Sequence, residues 1–180
     1  AQETTLYGKD IYGEKSLPKL LDELSKIDEL KWIRILYCYP EEITDELIDA
    51  IKRNPKVCNY LDMPIQHGAD DVLRRMGRWT NREQIENTVS KLRKEIPDIV
   101  LRTTLITGFP GETEEDFEQL KEFVEKMQFD RLGVFTYSRE EDTPAAEMDE
   151  QIEEEIKASR RDEIMQIQQD IAFDKSNSRV

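Results

Sequence analysis

The sequence is poor in cysteine and histidine, and this scarcity excludes several kinds of site. Among 180 residues there are two cysteines and one histidine. Cys38 and Cys58 lie twenty residues apart, a spacing that matches no zinc motif and no dense disulfide framework. We therefore expect two free thiols in a reducing compartment and no metal ligands within this chain.

Long hydrophobic runs and an excess of positive charge are also missing. No apolar run approaches the roughly 18 residues of a membrane span, and the first residues have neither the charge nor the apolar stretch of a signal peptide. Lysine and arginine number 26 against 40 acidic residues, which gives a formal net charge of −14. Because such a chain repels phosphate backbones, nucleic acid is an unfavourable partner for this segment. We expect a soluble, cytoplasmic protein with no membrane partner.

What the sequence does contain is an alternation of helix-like and strand-like segments. Apolar residues at helical spacing predict helices over about 16–28, from Thr44 to near Asn54, around Val72–Met76, from Asn81 to Pro97, from Thr113 through Met127, and over about 149–175. Apolar and β-branched runs predict strands over Trp32–Tyr39, Tyr60–Gln66, Ile99–Thr107 and Arg131–Tyr137. This order predicts an α/β fold with a parallel sheet, either a β/α barrel or an open doubly wound sheet.

Polar residues stand where three of the predicted strands give way to loops, at Gln66-His67, Thr107-Gly108 and Tyr137-Ser138. In parallel α/β folds the ligand site is built at the carboxyl ends of the strands. These polar ends favour the barrel over the open sheet, and they form the candidate site.

The sharpest local signal is the segment Ile106–Thr113 (ITGFPGET), in which a strand passes through two glycines into a capped helix. Such a turn allows a ligand to approach the backbone closely. An equally good interpretation is a tight structural turn in which glycine supplies a positive φ. The segment lacks the lysine of a P-loop and the spacing of a dinucleotide fingerprint.

One strand also carries an arginine on its polar face. Arg102 and Thr104 share the parity of Ile106, so the three side chains point to the same side of the sheet. A buried arginine needs a carboxylate partner, either from a ligand or from a structural Asp or Glu. His67 could donate to ligand hydroxyl groups or simply hold a loop, and it has no neighbours suited to metal binding.

Several segments, taken in order, resemble the radical S-adenosylmethionine methylthiotransferases. They are residues 1–8 (AQETTLYG), Trp32–Arg34 with Tyr39-Pro40, Tyr60–His67 (YLDMPIQH), Leu101–Phe117 (LRTTLITGFPGETEEDF), Phe129–Ser138 (FDRLGVFTYS) and Thr143–Ala146 (TPAA). Three features are similar to the branch that modifies a ribosomal protein: Tyr-Pro after the Trp-containing strand, Gln-His at the next strand end, and Arg-Thr-Thr before Gly-Phe-Pro-Gly-Glu. The branch that modifies tRNA typically shows Gln-Ser and Ser-Asp at the last two places.

The resemblance implies a partial parallel β/α (TIM-like) barrel, incomplete at its N-terminal edge, spanning residues 1–180 and ending in the long helix. It implies S-adenosylmethionine and two 4Fe-4S clusters as cofactors, with cluster ligands outside this chain, and an electron donor as partner. The expected reaction adds a methylthio group to the β-carbon of an aspartate in the twelfth small-subunit ribosomal protein. The cofactors would perform the radical chemistry, and the protein would position and shield the reactants.

The resemblance also assigns cofactor-binding residues, and it assigns no catalytic residue. Gln2 and Glu3 would hold the methionine-amino region, Gln66 and His67 the ribose, Ile106 and Gly108 the adenine, and Phe135 and Tyr137 the adenine edge. Arg102 is our own addition, as a partner for the methionine carboxylate or the substrate aspartate.

The three-cysteine cluster motif, the amino-terminal methylthiotransferase domain and the carboxyl-terminal TRAM-like β-barrel module of this family are not found between residues 1 and 180. We therefore expect this chain alone to hold no iron and to be inactive. Two alternatives remain open from the sequence: a tRNA-adenosine methylthiotransferase, and a barrel that serves only as an interaction module.

Overall fold

A computed structural model describes residues 3–177 of the chain. The helices are α1 (Lys9–Tyr12), α2 (Leu17–Ser25), α3 (Asp45–Arg53), α4 (Asp70–Arg75), α5 (Arg82–Glu95), α6 (Glu114–Met127) and α7 (Glu154–Asn177). The strands are β1 (Ile33–Ile35), β2 (Val57–Asp62), β3 (Val100–Thr107) and β4 (Arg131–Thr136), and two short 3-10 turns cover Pro40–Glu42 and Pro144–Glu147. Every helix within residues 3–177 is too short or too polar to serve as a membrane span.

The four strands form one sheet in the order β1-β2-β3-β4, and β2 pairs in parallel with both β1 and β3. Strand order therefore follows chain order, as the predicted succession of strands and crossover helices requires. The chain divides into two compact units. The first extends to Pro64 and includes Gln84–Arg102, and the second comprises Ile65–Glu83 and the residues from Thr103 onward.

In the first unit, α2 packs on α3 and α3 packs on β2. Leu21, Ile48 and Ile51 are almost fully buried in this core, as their helical spacing predicts. The α3 helix begins as predicted: Thr44 Oγ1 accepts a hydrogen bond from the Leu47 N–H at 3.2 Å, which satisfies a donor left open by the first turn. Both cysteines are free thiols, as expected.

The first predicted strand is wrong in length and in burial. A buried strand was expected over Trp32–Tyr39, whereas β1 covers only Ile33–Ile35. Tyr37 has φ 58°, a left-handed conformation that interrupts an extended strand, and its carbonyl accepts a hydrogen bond from the Thr4 N–H at 2.9 Å. Trp32 is 84% exposed. Because β1 lies at the edge of the sheet, one end of the apolar run stays outside the core.

In the second unit, α6 packs on α7, and α7 packs on β4. The core contains Phe117, Phe123, Phe129 and Ile164, each at most 1% exposed. The long final helix begins at Glu154 rather than near residue 149. Its first turn comes after the 3-10 turn over Pro144–Glu147, which occupies the connection from β4.

The α6 helix starts with a complete capping box. Thr113 Oγ1 accepts from the Asp116 N–H at 3.1 Å, and the Asp116 carboxylate accepts from the Thr113 N–H at 2.9 Å. Two backbone donors are thereby satisfied at the positive end of the helix dipole. The sequence predicted a capped helix from Thr113, and this start is confirmed.

We expect Thr113→Ala to lower the free energy of unfolding by about 1 kcal/mol, because the cap acceptor is lost. Ser90→Ala, at an exposed position inside α5, is the matched control and should be neutral or slightly stabilising. Denaturant-induced unfolding followed by circular dichroism measures both. Equal effects of the two substitutions would contradict the importance of the cap.

Candidate functional site

Gln66 holds a strained backbone position at the end of the second predicted strand. Its φ is 82°, which costs a residue with a Cβ roughly 1–2 kcal/mol. Its N–H donates to the Thr104 carbonyl at 2.9 Å, and its carbonyl accepts from the Ile106 N–H at 2.8 Å. Two backbone hydrogen bonds to β3 therefore hold Gln66 beside Leu105. Strain maintained in this way is characteristic of functional positions.

Gln66 lines a hollow of about 530 Å³ in the second unit, a size within the ordinary range for small-molecule sites. The wall of this hollow is largely apolar, with a few polar side chains. The lining residues are Gln66, Arg75, Met76, Gly77, Arg78, Ile106, Phe109, Thr143, Pro144, Ala145 and Met148. Two of the predicted adenosyl contacts, Gln66 and Ile106, thus share one wall.

Tyr137 lies beneath this wall in a small apolar cluster. It is buried with Ala69, Val72 and Phe109, and Ile106 packs against the same group. The Phe109 and Tyr137 rings meet edge to face with centroids 5.3 Å apart. The Tyr137 hydroxyl is buried without a hydrogen-bond partner among the described residues. The cluster therefore supports the hollow from behind and contains a polar atom able to serve a ligand or a water.

The glycine turn between β3 and α6 has a structural reason for its first glycine. Gly108 has φ +74°, and a Cβ built on it would lie 2.2 Å from Cγ of Lys157 on α7. Its N–H donates to Glu112 Oε2 at 2.8 Å. Only glycine permits this approach of the turn to α7. The packing of the turn against α7 is therefore sufficient to explain why residue 108 is a glycine. Phe109, the next residue, lines the hollow.

A buried carboxylate organises the same turn. Glu112 Oε1 accepts from Nη1 of Arg160 at 2.7 Å, and its Oε2 accepts from Gly108. Arg160 also donates to Oε2 of Glu114 at 3.0 Å. The Glu112 side chain is fully buried and that of Arg160 is 9% exposed, so the pair stands in a low-dielectric environment.

His67 completes this cluster from the Gln66 side. Its Nδ1 accepts from the Ala69 N–H at 3.0 Å, so the ring proton is on Nε2, which lies 3.3 Å from Glu112 Oε2. The ring is fully buried. The contact with Ala69 holds the loop, whereas Nε2 is buried without a hydrogen-bond partner among the described residues.

Lys157 is the other buried cation on α7. Its Nζ donates to the Tyr137 carbonyl at 3.2 Å and to Glu154 Oε1 at 2.6 Å. Its backbone carbonyl accepts from Thr107 Oγ1 at 3.2 Å. The lysine therefore joins the ends of β3 and β4 to the final helix.

Sequence reasoning missed the buried cations of α7. The apolar pattern that predicted this helix does not mark its buried face alone, because Ile156 is 46% exposed. The buried positions of this helix are Lys157, Arg160, Ile164, Gln168 and Ile171. Their spacing of three and four residues was a usable signal, because it places two cations and a glutamine in line with two isoleucines.

The remaining predicted site residues divide between the units. In the first unit, Glu3 accepts hydrogen bonds from the backbone N–H groups of Thr5 at 2.8 Å and Tyr39 at 3.0 Å. In the second unit, Phe135 is 59% exposed on β4. Gln2 lies outside the described residues.

Arg102 has the carboxylate partner that its position required. Its Nη1 donates to Asp62 Oδ1 at 2.7 Å, within the first unit. This hydrogen bond raises the pKa of the Arg102 guanidinium, against the opposing effect of burial. Of the two kinds of carboxylate partner expected for this arginine, a ligand or an Asp or Glu of the protein, the structure contains the second.

Burial makes the Cys38 thiol difficult to ionise. Burial, with smaller contributions from Glu3 and Asp62, raises the pKa of the Cys38 thiol to about 12, and a cluster ligand must be a thiolate. Across residues 3–177, no three side chains of histidine, cysteine, aspartate or glutamate gather in a group that could hold a metal ion.

We expect Arg160→Met to destabilise the protein by about 3–5 kcal/mol, because it leaves the Glu112 carboxylate buried without its cation. The matched control is Arg161→Met, the next residue on α7, which is 41% exposed and should change stability little. Adding Glu112→Gln to Arg160→Met should recover part of the loss. Thermal unfolding measures the series, and equal melting temperatures for the two single variants would contradict the buried pair.

We expect Gly108→Ala to cost more stability than Gly13→Ala, although both glycines have φ +74°. A Cβ added at Gly13 would meet nothing within 4 Å, so that substitution costs only backbone strain of about 1–2 kcal/mol. Gly108→Ala would have the same strain and, in addition, an overpacking cost of about 1–3 kcal/mol, because its Cβ would collide with the Lys157 side chain. Denaturant titration compares the two variants, and equal losses would show that α7 does not press on the turn.

Comparison with known proteins identifies the family. The model of the radical SAM superfamily matches residues 2–124, more than half of the chain. The whole chain is 65% identical to a protein named ribosomal protein uS12 methylthiotransferase RimO from Lachnoclostridium phytofermentans, covering 41% of it. It is 59% identical over its whole length to the protein of the same name from Clostridium botulinum strain Hall, covering 40%. The chain thus spans about two fifths of the curated relatives it matches.

Two solved structures share the fold at lower identity. Coproporphyrinogen III oxidase (HemN) from Escherichia coli, a radical SAM enzyme, matches 86% of this chain and 36% of its own, with a TM-score of 0.66 and 24% identity. The radical S-adenosylmethionine methyltransferase TsrM from Kitasatospora setae matches 69% of this chain and 25% of its own, with a TM-score of 0.56 and 20% identity. The fold is a partial parallel β/α barrel, as predicted, and the chain belongs to the radical SAM superfamily.

Proposed function

We propose that this chain is the barrel segment of a methylthiotransferase that modifies an aspartate of ribosomal protein uS12. The observation that carries the proposal is the 65% identity, over all 180 residues, to a relative with that name. The acidic chain, with its formal charge of −14, agrees with a protein substrate better than with tRNA. Because the chain spans about two fifths of its relatives, the activity belongs to the complete protein.

The hollow of the second unit fits an adenosyl group. Its apolar wall suits a purine, and Gln66 provides an amide for sugar hydroxyl groups. The Tyr137 hydroxyl is buried behind the wall, has no hydrogen-bond partner among the described residues and offers one further polar contact. When bound, S-adenosylmethionine supplies the methyl group and the hydrogen-abstracting chemistry of this family.

The residues of this chain bind, orient and exclude water. We assign Gln66 to the ribose, and Ile106, Phe135 and Tyr137 to the adenine. His67 is proposed for the ribose as well, and Gly108 for the adenine; the Gly108 N–H also donates to Glu112 Oε2 at 2.8 Å, and His67 Nε2 lies 3.3 Å from the same oxygen.

The clusters of the proposed enzyme have no ligands among the described residues. The two 4Fe-4S clusters would be held by cysteines other than Cys38 and Cys58, and a separate electron donor would reduce them. Gln2 and Glu3 are proposed for the methionine-amino region. No step of the chemistry is assigned to a side chain of this segment.

The complete protein, with its clusters reconstituted, should add a methylthio group to a uS12 peptide that carries the target aspartate. Mass spectrometry of the peptide detects the product, and an anticodon stem-loop with the modified adenosine serves as the second substrate. Product on the stem-loop and none on the peptide would favour the tRNA enzyme. A protein that binds S-adenosylmethionine and modifies neither substrate would contradict both proposals.

We expect Gln66→Ala to weaken binding of S-adenosylmethionine by roughly tenfold, the effect of one lost hydrogen bond in a closed site. Gln166→Ala, which removes an amide from the exposed face of α7, is the matched control and should bind normally. Isothermal titration of the complete protein measures both affinities. Unchanged affinity in the Gln66 variant would remove this residue from the site.

A further inference from the structure

An exposed tryptophan borders the hollow of the second unit. Met76, Gly77 and Arg78 line the hollow, and Trp79 is the next residue in the chain. Trp79 is 94% exposed, although its other neighbour, Thr80, is buried. A tryptophan side chain can bury roughly 150–250 Å² in a contact, and tryptophan is among the residues that contribute most to protein interfaces. Its exposure beside a concave site therefore indicates a contact surface.

Hydrogen bonds hold the segment that carries Trp79 on both sides. Before it, the Arg78 N–H donates to the Leu73 carbonyl at 2.9 Å, which is part of a Schellman motif at the end of α4. After it, Asp70 Oδ1 accepts a hydrogen bond from the Arg82 N–H at 2.7 Å, at the start of α5. A held backbone thus presents the indole to solvent, so little conformational entropy is lost when a partner covers it.

Another part of the lining belongs to a strongly acidic segment. Residues 140–150, here called the acidic connection, contain six acidic residues and no lysine or arginine. Four of its other residues line the hollow: Thr143, Pro144, Ala145 and Met148. The acidic side chains are all exposed, and they are those of Glu140, Glu141, Asp142, Glu147, Asp149 and Glu150. Charge of one sign at this density attracts a cationic partner.

The acidic connection is also held in place. The Gly111 N–H donates to the Glu150 carbonyl at 3.0 Å. Nε2 of Gln151 donates to the carbonyls of Ala145 at 2.9 Å and Met148 at 3.0 Å. The negative charges therefore stand at defined positions beside the hollow, where they can favour one register of a bound polypeptide.

We propose that Trp79 and the acidic connection form a docking surface for the polypeptide substrate at the edge of this hollow. The inference rests on the proposed function, because that function brings a ribosomal protein to the site. A protein that binds ribosomal RNA neutralises phosphates with lysine and arginine, so its surface is basic. A basic segment complements the acidic connection, and the aliphatic stems of its side chains can cover the indole. A nucleic-acid substrate would be repelled by the same charges.

The test measures how a fluorescently labelled uS12 peptide with the target aspartate binds to the complete, reconstituted protein. Trp79→Ala removes the indole, and Trp79→Phe keeps an aromatic ring. Trp32→Ala is the matched control, because Trp32 is 84% exposed and belongs to the first unit. Fluorescence anisotropy gives the peptide affinity, and kcat, KM and the affinity for S-adenosylmethionine are measured for the same variants.

Trp79→Ala should weaken peptide binding and raise KM by roughly 10- to 30-fold, as expected for a tryptophan at the centre of an interface. The value of kcat and the affinity for S-adenosylmethionine should not change. Trp79→Phe should recover part of the loss, and Trp32→Ala should match the wild type. The emission of Trp79, taken as the difference between wild-type and Trp79→Phe spectra, should move to shorter wavelength when the peptide binds, because the indole leaves water.

The charge contribution is tested by combining Glu141→Gln with Asp142→Asn. Asparagine adopts the φ of 62° found at Asp142 readily, so the backbone is preserved. The matched control combines Asp28→Asn with Glu29→Gln, an adjacent acidic pair in an exposed turn of the first unit. The first pair of substitutions should lower peptide affinity roughly 2- to 5-fold at low salt and reduce its salt dependence. The control pair should change neither.

The proposal is overturned if Trp79→Ala binds the peptide as the wild type does, if Trp32→Ala weakens binding equally, or if the loss appears in the affinity for S-adenosylmethionine. Trp79 emission typical of a buried indole before peptide is added would also overturn it, because another part of the complete protein would then cover the residue. Circular dichroism separates folding defects from binding defects. A peptide that binds through Trp79 and acquires no methylthio group would support the docking surface and contradict the proposed function.

Discussion

The buried carboxylate of Glu112 is the interaction on which the candidate site depends. Removing a carboxylate and a guanidinium from water is costly, and the cost is offset only by close geometry and additional hydrogen bonds. Here Arg160 donates at 2.7 Å, the Gly108 N–H donates at 2.8 Å, and His67 Nε2 lies 3.3 Å away. Arg160 also lies over the Phe117 ring at 5.2 Å. One charge pair thereby ties the glycine turn and the start of α6 to the final helix.

The geometry of the hollow follows from this anchor. The fixed turn presents Phe109, which packs edge to face on Tyr137, and Ile106 lies against the same cluster. Hydrogen bonds with Thr104 and Ile106 keep Gln66 in its strained conformation at the wall. A site built in this way is organised before its ligand arrives, so little conformational entropy is lost on binding. In the second unit, α7 therefore contributes to the site without lining it.

Much of the fold was accessible from the sequence because it depends on local patterns. Thr113 predicted the start of α6 as a helix cap, and the alternation of helix-like and strand-like segments with short connections predicted the strand order. The polar strand ends predicted Gln66 as a site residue, and the resemblance to a known family added Ile106. The features that the sequence did not predict depend on tertiary contacts. Tyr37 ends the first predicted strand because its backbone is left-handed, and its carbonyl accepts a hydrogen bond from Thr4. Arg160 is buried because its partner Glu112, 48 residues earlier in the chain, is buried as well. No local pattern distinguishes such an arginine from a solvated one.

The central claim is that the hollow beside Gln66, Ile106 and Phe109 is where this radical SAM barrel holds its adenosyl group. A crystal structure of the complete protein with S-adenosylmethionine tests the claim most directly. The account predicts adenine density against Ile106 and Phe109, with the Gln66 amide within hydrogen-bond distance of the ribose. Density for the adenosyl group elsewhere on the barrel, with this hollow filled only by solvent, would contradict it.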